Sequence, residues 1–154
     1  VVWDFVDVYK TKYRTISKAQ TELLEDAKEA LKLAKSFARL SIVTTKTGSV
    51  TIPLLEHLGI MEYFEFVTGR ENVEHPKPHP EPILKTLDLM SIEKTSNIWM
   101  VGDTQLDLIS ANSAGVNSVG VLCGYGAEEE LKEFTKFITP NSLEAVKLIQ
   151  EYKI

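Results

Sequence analysis

The sequence predicts an α/β fold in which a parallel sheet lies between two layers of helices. Short apolar, β-branched runs alternate with segments of helical periodicity through most of the 154 residues, and this alternation is typical of βαβ units. The length fits one domain, and 44% apolar residues can build a sizeable core. We therefore expect a three-layer, Rossmann-like parallel sheet.

The first predicted elements follow from spacing and residue type. Residues 1–13 are predicted to be an amphipathic helix because apolar side chains recur at helical spacing. A second helix is predicted over 21–38 from its Leu/Ala face, and a β-branched strand over 40–44. A helix over 50–58 stops at Gly59, a good residue for a helix end, and residues 64–68 form a strand.

The later elements follow the same rules. Residues 71–80 form a loop rich in proline and histidine, and the helix over 82–89 has prolines near its first turn. The remaining elements are strands at 97–101, 117–122 and 136–138 and helices at 104–114, 127–133 and 141–151. The first twenty residues are an exception to the alternation, because they are predicted to be helical, have no preceding strand and end in the polar run 15–20. We interpret that run as a linker from a different structural unit.

Composition excludes several classes of protein. Acidic residues outnumber basic ones by 22 to 17, and a formal charge of −5 argues against non-specific binding of nucleic acid or anionic membranes. The single cysteine, Cys123, excludes an internal disulfide, and we expect a cytoplasmic protein. The sequence contains neither an apolar run as long as a membrane span nor a signal-peptide pattern.

Three groups of polar residues are candidates for a functional site, because they lie where predicted strands end or where predicted helices begin. Thr44 ends a predicted strand and is followed by Thr45, where hydroxyl and N–H groups can hold phosphate oxygens. Lys77 lies among alternating prolines, which fix the backbone, and its ammonium can neutralise a phosphate. Asp103 and Asp107 follow an apolar run and lie four residues apart, on one helix face. Such carboxylates suit Mg²⁺.

Each group alone also fits an ordinary structural role: a helix cap for the threonine and the aspartates, and a solvated loop residue for the lysine. Their joint order is more specific. It resembles motifs two, three and four of the haloacid dehalogenase-like superfamily of phosphohydrolases. The string Lys77-Pro78-His79-Pro80-Glu81-Pro82 and the run Gly124-Tyr125-Gly126 look like its phosphoglycolate phosphatase branch.

The resemblance implies roles for these residues. Thr44, with Thr45 beside it, would bind the transferring phosphoryl group, and Lys77 would steady the nucleophile and the phosphate. Asp103 would help to hold Mg²⁺, and Asp107 would support the metal or the lysine. The reaction would form an aspartyl-phosphate that water hydrolyses. The expected partner is a small phosphorylated metabolite; the oligomeric state is open, with a homodimer as one option.

One departure from the family pattern concerns the nucleophile. The family's first motif, a strand followed by Asp-x-Asp-Gly-Thr, does not occur in the sequence. Asp4 and Asp7 are three residues apart and lie in a helical pattern. We therefore expect residues 1–20 to be the end of a helical cap and a linker, and residues 21–154 to be a core that lacks its first strand and nucleophile and is inactive alone.

Several other functions remain to be distinguished. A phosphosugar mutase or a pyrophosphatase of the same superfamily is the second enzymatic interpretation. A haloalkanoate dehalogenase is disfavoured because it requires no Mg²⁺, whereas Gly102-Asp103 argues for a metal. A receiver domain is disfavoured because it should begin with a strand that ends in an acidic pair, whereas this chain is predicted to begin with a helix. A non-catalytic fragment or interaction module is the last alternative.

Overall fold

A six-stranded parallel sheet forms the centre of the molecule. The computed structural model describes residues 2–3, 27–93, 97–123 and 126–153. The strands are β1 (Val2–Trp3), β2 (Ser41–Val43), β3 (Val67–Thr68), β4 (Trp99–Gly102), β5 (Asn117–Val121) and β6 (Ile138–Thr139). Their order in the sheet is β3-β2-β1-β4-β5-β6, and every pair is parallel.

In the described ranges, six helices connect or flank these strands. They are α1 (Ala27–Lys35), α2 (Gly48–His57), α3 (Glu81–Leu89), α4 (Gln105–Ala114), α5 (Glu128–Leu131) and α6 (Ser142–Lys153). Short 3₁₀ turns occur at Met61–Tyr63 and Arg70–Asn72. Within the described residues, the predicted order of helices and strands from the second helix onward is confirmed, with boundaries that move by one to three residues at most sites.

Helices cover both faces of the sheet. On one face, Trp99 and Val101 of β4 pack with apolar residues of α1, α2 and α6. On the other face, Met100 of the same strand packs with α3 and α4. Alternate residues of β4 therefore serve two separate apolar clusters, as the two-residue period of a strand requires, and the predicted three-layer architecture is confirmed.

The start of the chain differs from the prediction. Val2–Trp3 is a strand and not part of a helix, and it lies between β2 and β4 at the centre of the sheet. The prediction of a helix is therefore wrong for residues 2–3. The expectation that the sheet lacks its first strand is also wrong, because these two residues form a central strand. A short apolar run satisfies helical and strand spacing equally, and a central strand is buried on both faces, so its run carries no alternation. The rest of the predicted helix and the linker lie outside the described residues.

In the parts of the chain that the structure describes, no helix combines the length and the apolar character needed to cross a membrane.

Candidate active site

Thr44 follows the carboxyl end of β2. It is only 4% exposed, and its backbone N–H donates to the Thr68 carbonyl at 3.0 Å, which continues the ladder to β3. Its Oγ1 accepts a hydrogen bond from Lys46 N at 3.1 Å, so the chain turns sharply after the strand. Thr45, the second predicted phosphate-binding residue, is exposed at this turn and takes part in none of these bonds.

Lys77 is buried although it lies in a loop, with 6% of its surface exposed. Its Nζ donates to the Val43 carbonyl at the end of β2, at 3.5 Å, and forms an ion pair with Asp107. The loop itself is attached to α4, because Ser110 Oγ donates to the His79 carbonyl at 2.8 Å. The lysine head is thus held at the strand ends by contacts with two different elements.

Asp103 and Asp107 are buried at the end of β4 and in the first turn of α4, with 0% and 1% exposure. Asp107 Oδ2 accepts from Asp103 N, Thr104 N and Thr104 Oγ1, each at 3.1 Å. Thr104 Oγ1 in turn accepts from Asp107 N at 3.4 Å, which completes a capping box. Asp107 Oδ1 contacts Lys77 Nζ. One carboxylate therefore fixes the helix start, the turn after β4 and the lysine.

Gly102 explains why the strand ends in Gly-Asp. A Cβ at this position would lie 2.6 Å from Asp107 Oδ2. The Asp107 carboxylate can fold back over the end of β4 only because Gly102 has no side chain.

The predicted residues meet at one edge of the sheet. Thr44 follows β2 and Asp103 follows β4, and these two strands flank β1. Lys77 joins the two sides, since it contacts the last residue of β2 and the carboxylate of Asp107 beside Asp103. This places a hydroxyl, an ammonium and two carboxylates at the carboxyl ends of neighbouring parallel strands, where α/β sheets bind ligands.

The two aspartates that we expected to bind the metal differ in their surroundings. Both oxygens of Asp107 are occupied by Lys77 and by donors of the β4–α4 turn, which favours the lysine-supporting role over metal binding. Asp103 offers a buried carboxylate, an oxygen ligand of the kind that Mg²⁺ prefers. The donor set therefore fits Mg²⁺ through one carboxylate of the described residues.

Glu71 is a structural residue that the sequence interpretation missed. Both of its carboxylate oxygens accept from Gly48 N, at 2.8 and 2.9 Å, at the start of α2. These backbone hydrogen bonds hold the pKa of Glu71 below its ordinary value. The bond connects the turn after Thr44 to the segment that leads to Lys77. A separation of 23 residues leaves no local signal for it.

Comparisons with known proteins identify the family of the chain. Residues 2–121 match the model of the family described as haloacid dehalogenase-like hydrolase. A phosphoglycolate phosphatase of Photorhabdus laumondii is 33% identical over 126 residues, which cover 81% of this chain and 53% of the relative. A Caldanaerobacter subterraneus protein with the provisional name of a pyrophosphatase is 34% identical, over 77% of this chain and 50% of that protein.

Solved structures agree on the fold. A Thermotoga maritima structure described provisionally as a β-phosphoglucomutase superimposes with a TM-score of 0.78, covering 87% of this chain and 62% of that one. Its 21% identity supports the fold alone. The chain spans about half the length of the curated relatives it matches.

Proposed function

Because the chain belongs to the haloacid dehalogenase-like hydrolase family, we propose that it forms the phosphate-binding core of a Mg²⁺-dependent phosphatase. The substrates are small phosphorylated metabolites, with 2-phosphoglycolate as the first choice, since a relative named phosphoglycolate phosphatase is 33% identical to this chain over 126 residues. The observation that carries the proposal is the buried Lys77, held by Asp107 and Val43 between the ends of β2 and β4.

The residues divide the work by their chemistry. The Thr44 hydroxyl and the exposed turn at Thr45 bind phosphoryl oxygens, and the Lys77 ammonium offsets the negative charge that develops during transfer. Asp103 would hold Mg²⁺, and the bound ion would supply positive charge that neutralises phosphate oxygens. Asp107 acts through Lys77, which it keeps in place.

The nucleophile in this proposal is a carboxylate outside the present chain. It attacks phosphorus, the phosphorus–oxygen ester bond breaks, and the leaving alkoxide takes up a proton from the second aspartate of the same upstream motif. That aspartate then accepts a proton from the water that attacks the aspartyl-phosphate and releases inorganic phosphate. Within the chain, Asp4 is the competing candidate, because it follows Trp3 of the central strand in the sequence. Asp4 itself lies outside the described residues.

Hydrolysis assays separate these assignments. The 154-residue chain with Mg²⁺ should not hydrolyse p-nitrophenyl phosphate or 2-phosphoglycolate above background. A longer version with an upstream Asp-x-Asp-Gly-Thr segment should do so, and should lose activity when the first aspartate of that segment becomes asparagine. If the short chain shows metal-dependent hydrolysis, and this activity disappears in Asp4→Asn, then Asp4 is the nucleophile. A long version without phosphatase activity would refute the proposed function.

Substrate class needs a second assay with the long version. The named relatives include a provisional pyrophosphatase, so inorganic pyrophosphate and β-glucose 1-phosphate are tested beside 2-phosphoglycolate. We expect the highest kcat/KM for 2-phosphoglycolate. A preference for pyrophosphate, or isomerisation of the sugar phosphate without net release of phosphate, would favour the pyrophosphatase or the mutase alternative.

A further inference from the structure

Two histidines and a glutamate converge on the loop that carries Lys77. His75 and His79 lie two residues on either side of Lys77, and Glu81 begins α3. Each offers a ligand atom, and these atoms all lie within 4.8 Å of one another. While Lys77 is buried, the side chain of His75 is 60% exposed. The cluster therefore faces solvent and can be reached by an ion.

Backbone contacts hold the carboxylate of this cluster in place. Glu81 accepts hydrogen bonds from Glu74 N at 2.8 Å and from His75 N at 3.1 Å. These bonds, together with the His75 ring, hold the pKa of Glu81 below its ordinary value. The two backbone hydrogen bonds thus hold the carboxylate in a defined position, as a metal ligand requires.

The two imidazoles are arranged around this carboxylate. His75 Nδ1 lies 3.0 Å from Glu81 Oε1, and the rings of His75 and His79 stack with centroids 4.7 Å apart. Ligands about 2.05 Å from a tetrahedral zinc ion are roughly 3.3 Å from one another. The His75–Glu81 separation is already close to that value, and the His79 ligand atom lies within 4.8 Å of both partners. The bond from Glu81 N to His79 Nδ1 lies at the surface, where water can replace it.

We propose that His75, His79 and Glu81 bind one divalent transition-metal ion of the zinc type, separate from the Mg²⁺ assigned to Asp103. Two imidazoles and one carboxylate form a ligand set used by zinc in proteins, with the fourth position left for water. Mg²⁺ prefers oxygen ligands and does not compete for this set. The proposal does not depend on the phosphatase function.

Zinc titration of the 154-residue chain tests the proposal. All variants carry Cys123→Ser, which removes the sequence's only thiol. After chelator treatment, ZnCl₂ binding is followed by calorimetry, and CoCl₂ binding by the visible absorption of tetrahedral cobalt. We expect one site of micromolar affinity, and a rise of Tm with zinc concentration because the metal binds the folded state. Excess MgCl₂ should leave the zinc affinity unchanged.

The three histidines of the chain supply matched variants. His75→Ala and His79→Ala should each weaken zinc binding by roughly tenfold or more, whereas His57→Ala, on the exposed end of α2, should not. Circular dichroism checks that each variant is folded. The proposal is overturned if the parent chain shows no saturable zinc binding, if both loop variants bind as the parent does, or if His57→Ala loses binding to the same extent.

Discussion

Lys77 and Asp107 form an ion pair with 3% and 2% of their side chains exposed, between a loop and the first turn of a helix. The pair connects Lys77, which lies in a loop, with the strand ends where Thr44 and Asp103 lie. It is therefore the contact that makes the predicted residues into one site.

Removal of either partner of this pair should destabilise the fold strongly, because it leaves a buried charge without its counter-charge. Lys77→Met and Asp107→Asn should each lower the free energy of unfolding by about 3 kcal/mol or more, and the double variant should lose clearly less than the sum. Urea denaturation of the four proteins measures this coupling. Losses that add within about 0.5 kcal/mol would show that the pair contributes no coupling energy.

The capping box at the start of α4 should also be measurable. Thr104→Ala removes the hydroxyl that accepts from Asp107 N and donates to Asp107 Oδ2, and should cost about 1 kcal/mol of unfolding free energy. Thr47→Ala is the matched control, since Thr47 precedes α2 but its side chain makes no capping hydrogen bond. Equal losses in the two variants would rule out a special role for the Thr104 cap.

Glu71 should make stability depend on acid. Its pKa in the folded state is lowered by the hydrogen bonds from Gly48, so the ionised carboxylate stabilises the fold above the unfolded pKa of about 4.3. This contribution is lost as the pH falls through the lower folded pKa. The Tm difference between the parent chain and Glu71→Gln should therefore be largest near neutrality and shrink in acid. Glu29→Gln, exposed on α1, is the control. A pH-independent difference would contradict this assignment.

The role of Asp103 is tested through metal dependence. The 154-residue chain should bind Mg²⁺ only weakly, because one carboxylate leaves most of the octahedral positions to water. In an active long version, Asp103→Asn should abolish Mg²⁺-dependent turnover while the circular dichroism spectrum stays unchanged. Undiminished turnover by a folded Asp103→Asn protein would show that this carboxylate does not hold the metal.

The convergence of Thr44 and Asp103 could be predicted because the carboxyl ends of parallel strands share one edge of a sheet. The position of Lys77 could be predicted from the order of the motifs. That Asp107 is its partner is known only from the ion pair in the structure. Whether Asp107 contacts the metal or the lysine depends on the direction of its side chain, which residue spacing does not fix.

The features that sequence reasoning missed depend on contacts between distant segments or on ambiguous short runs. Glu71 reaches Gly48 across 23 residues, and neither position carries a local signal for the other. Val2–Trp3 is too short for its apolar pattern to separate strand from helix, and its pairing with β2 and β4 decides the matter.

The hydrogen bond from Ser110 Oγ to the His79 carbonyl has a consequence for local opening. Helix α4 holds the lysine loop twice, through Asp107 at the Lys77 head and through Ser110 at the backbone two residues later. The loop cannot separate from the sheet without breaking bonds to a helix whose residues lie in the core. Loop and helix should therefore open as one cooperative unit. Native-state hydrogen exchange should then show similar protection for the helix amides of α4 and for His79 N, which donates to the Pro76 carbonyl.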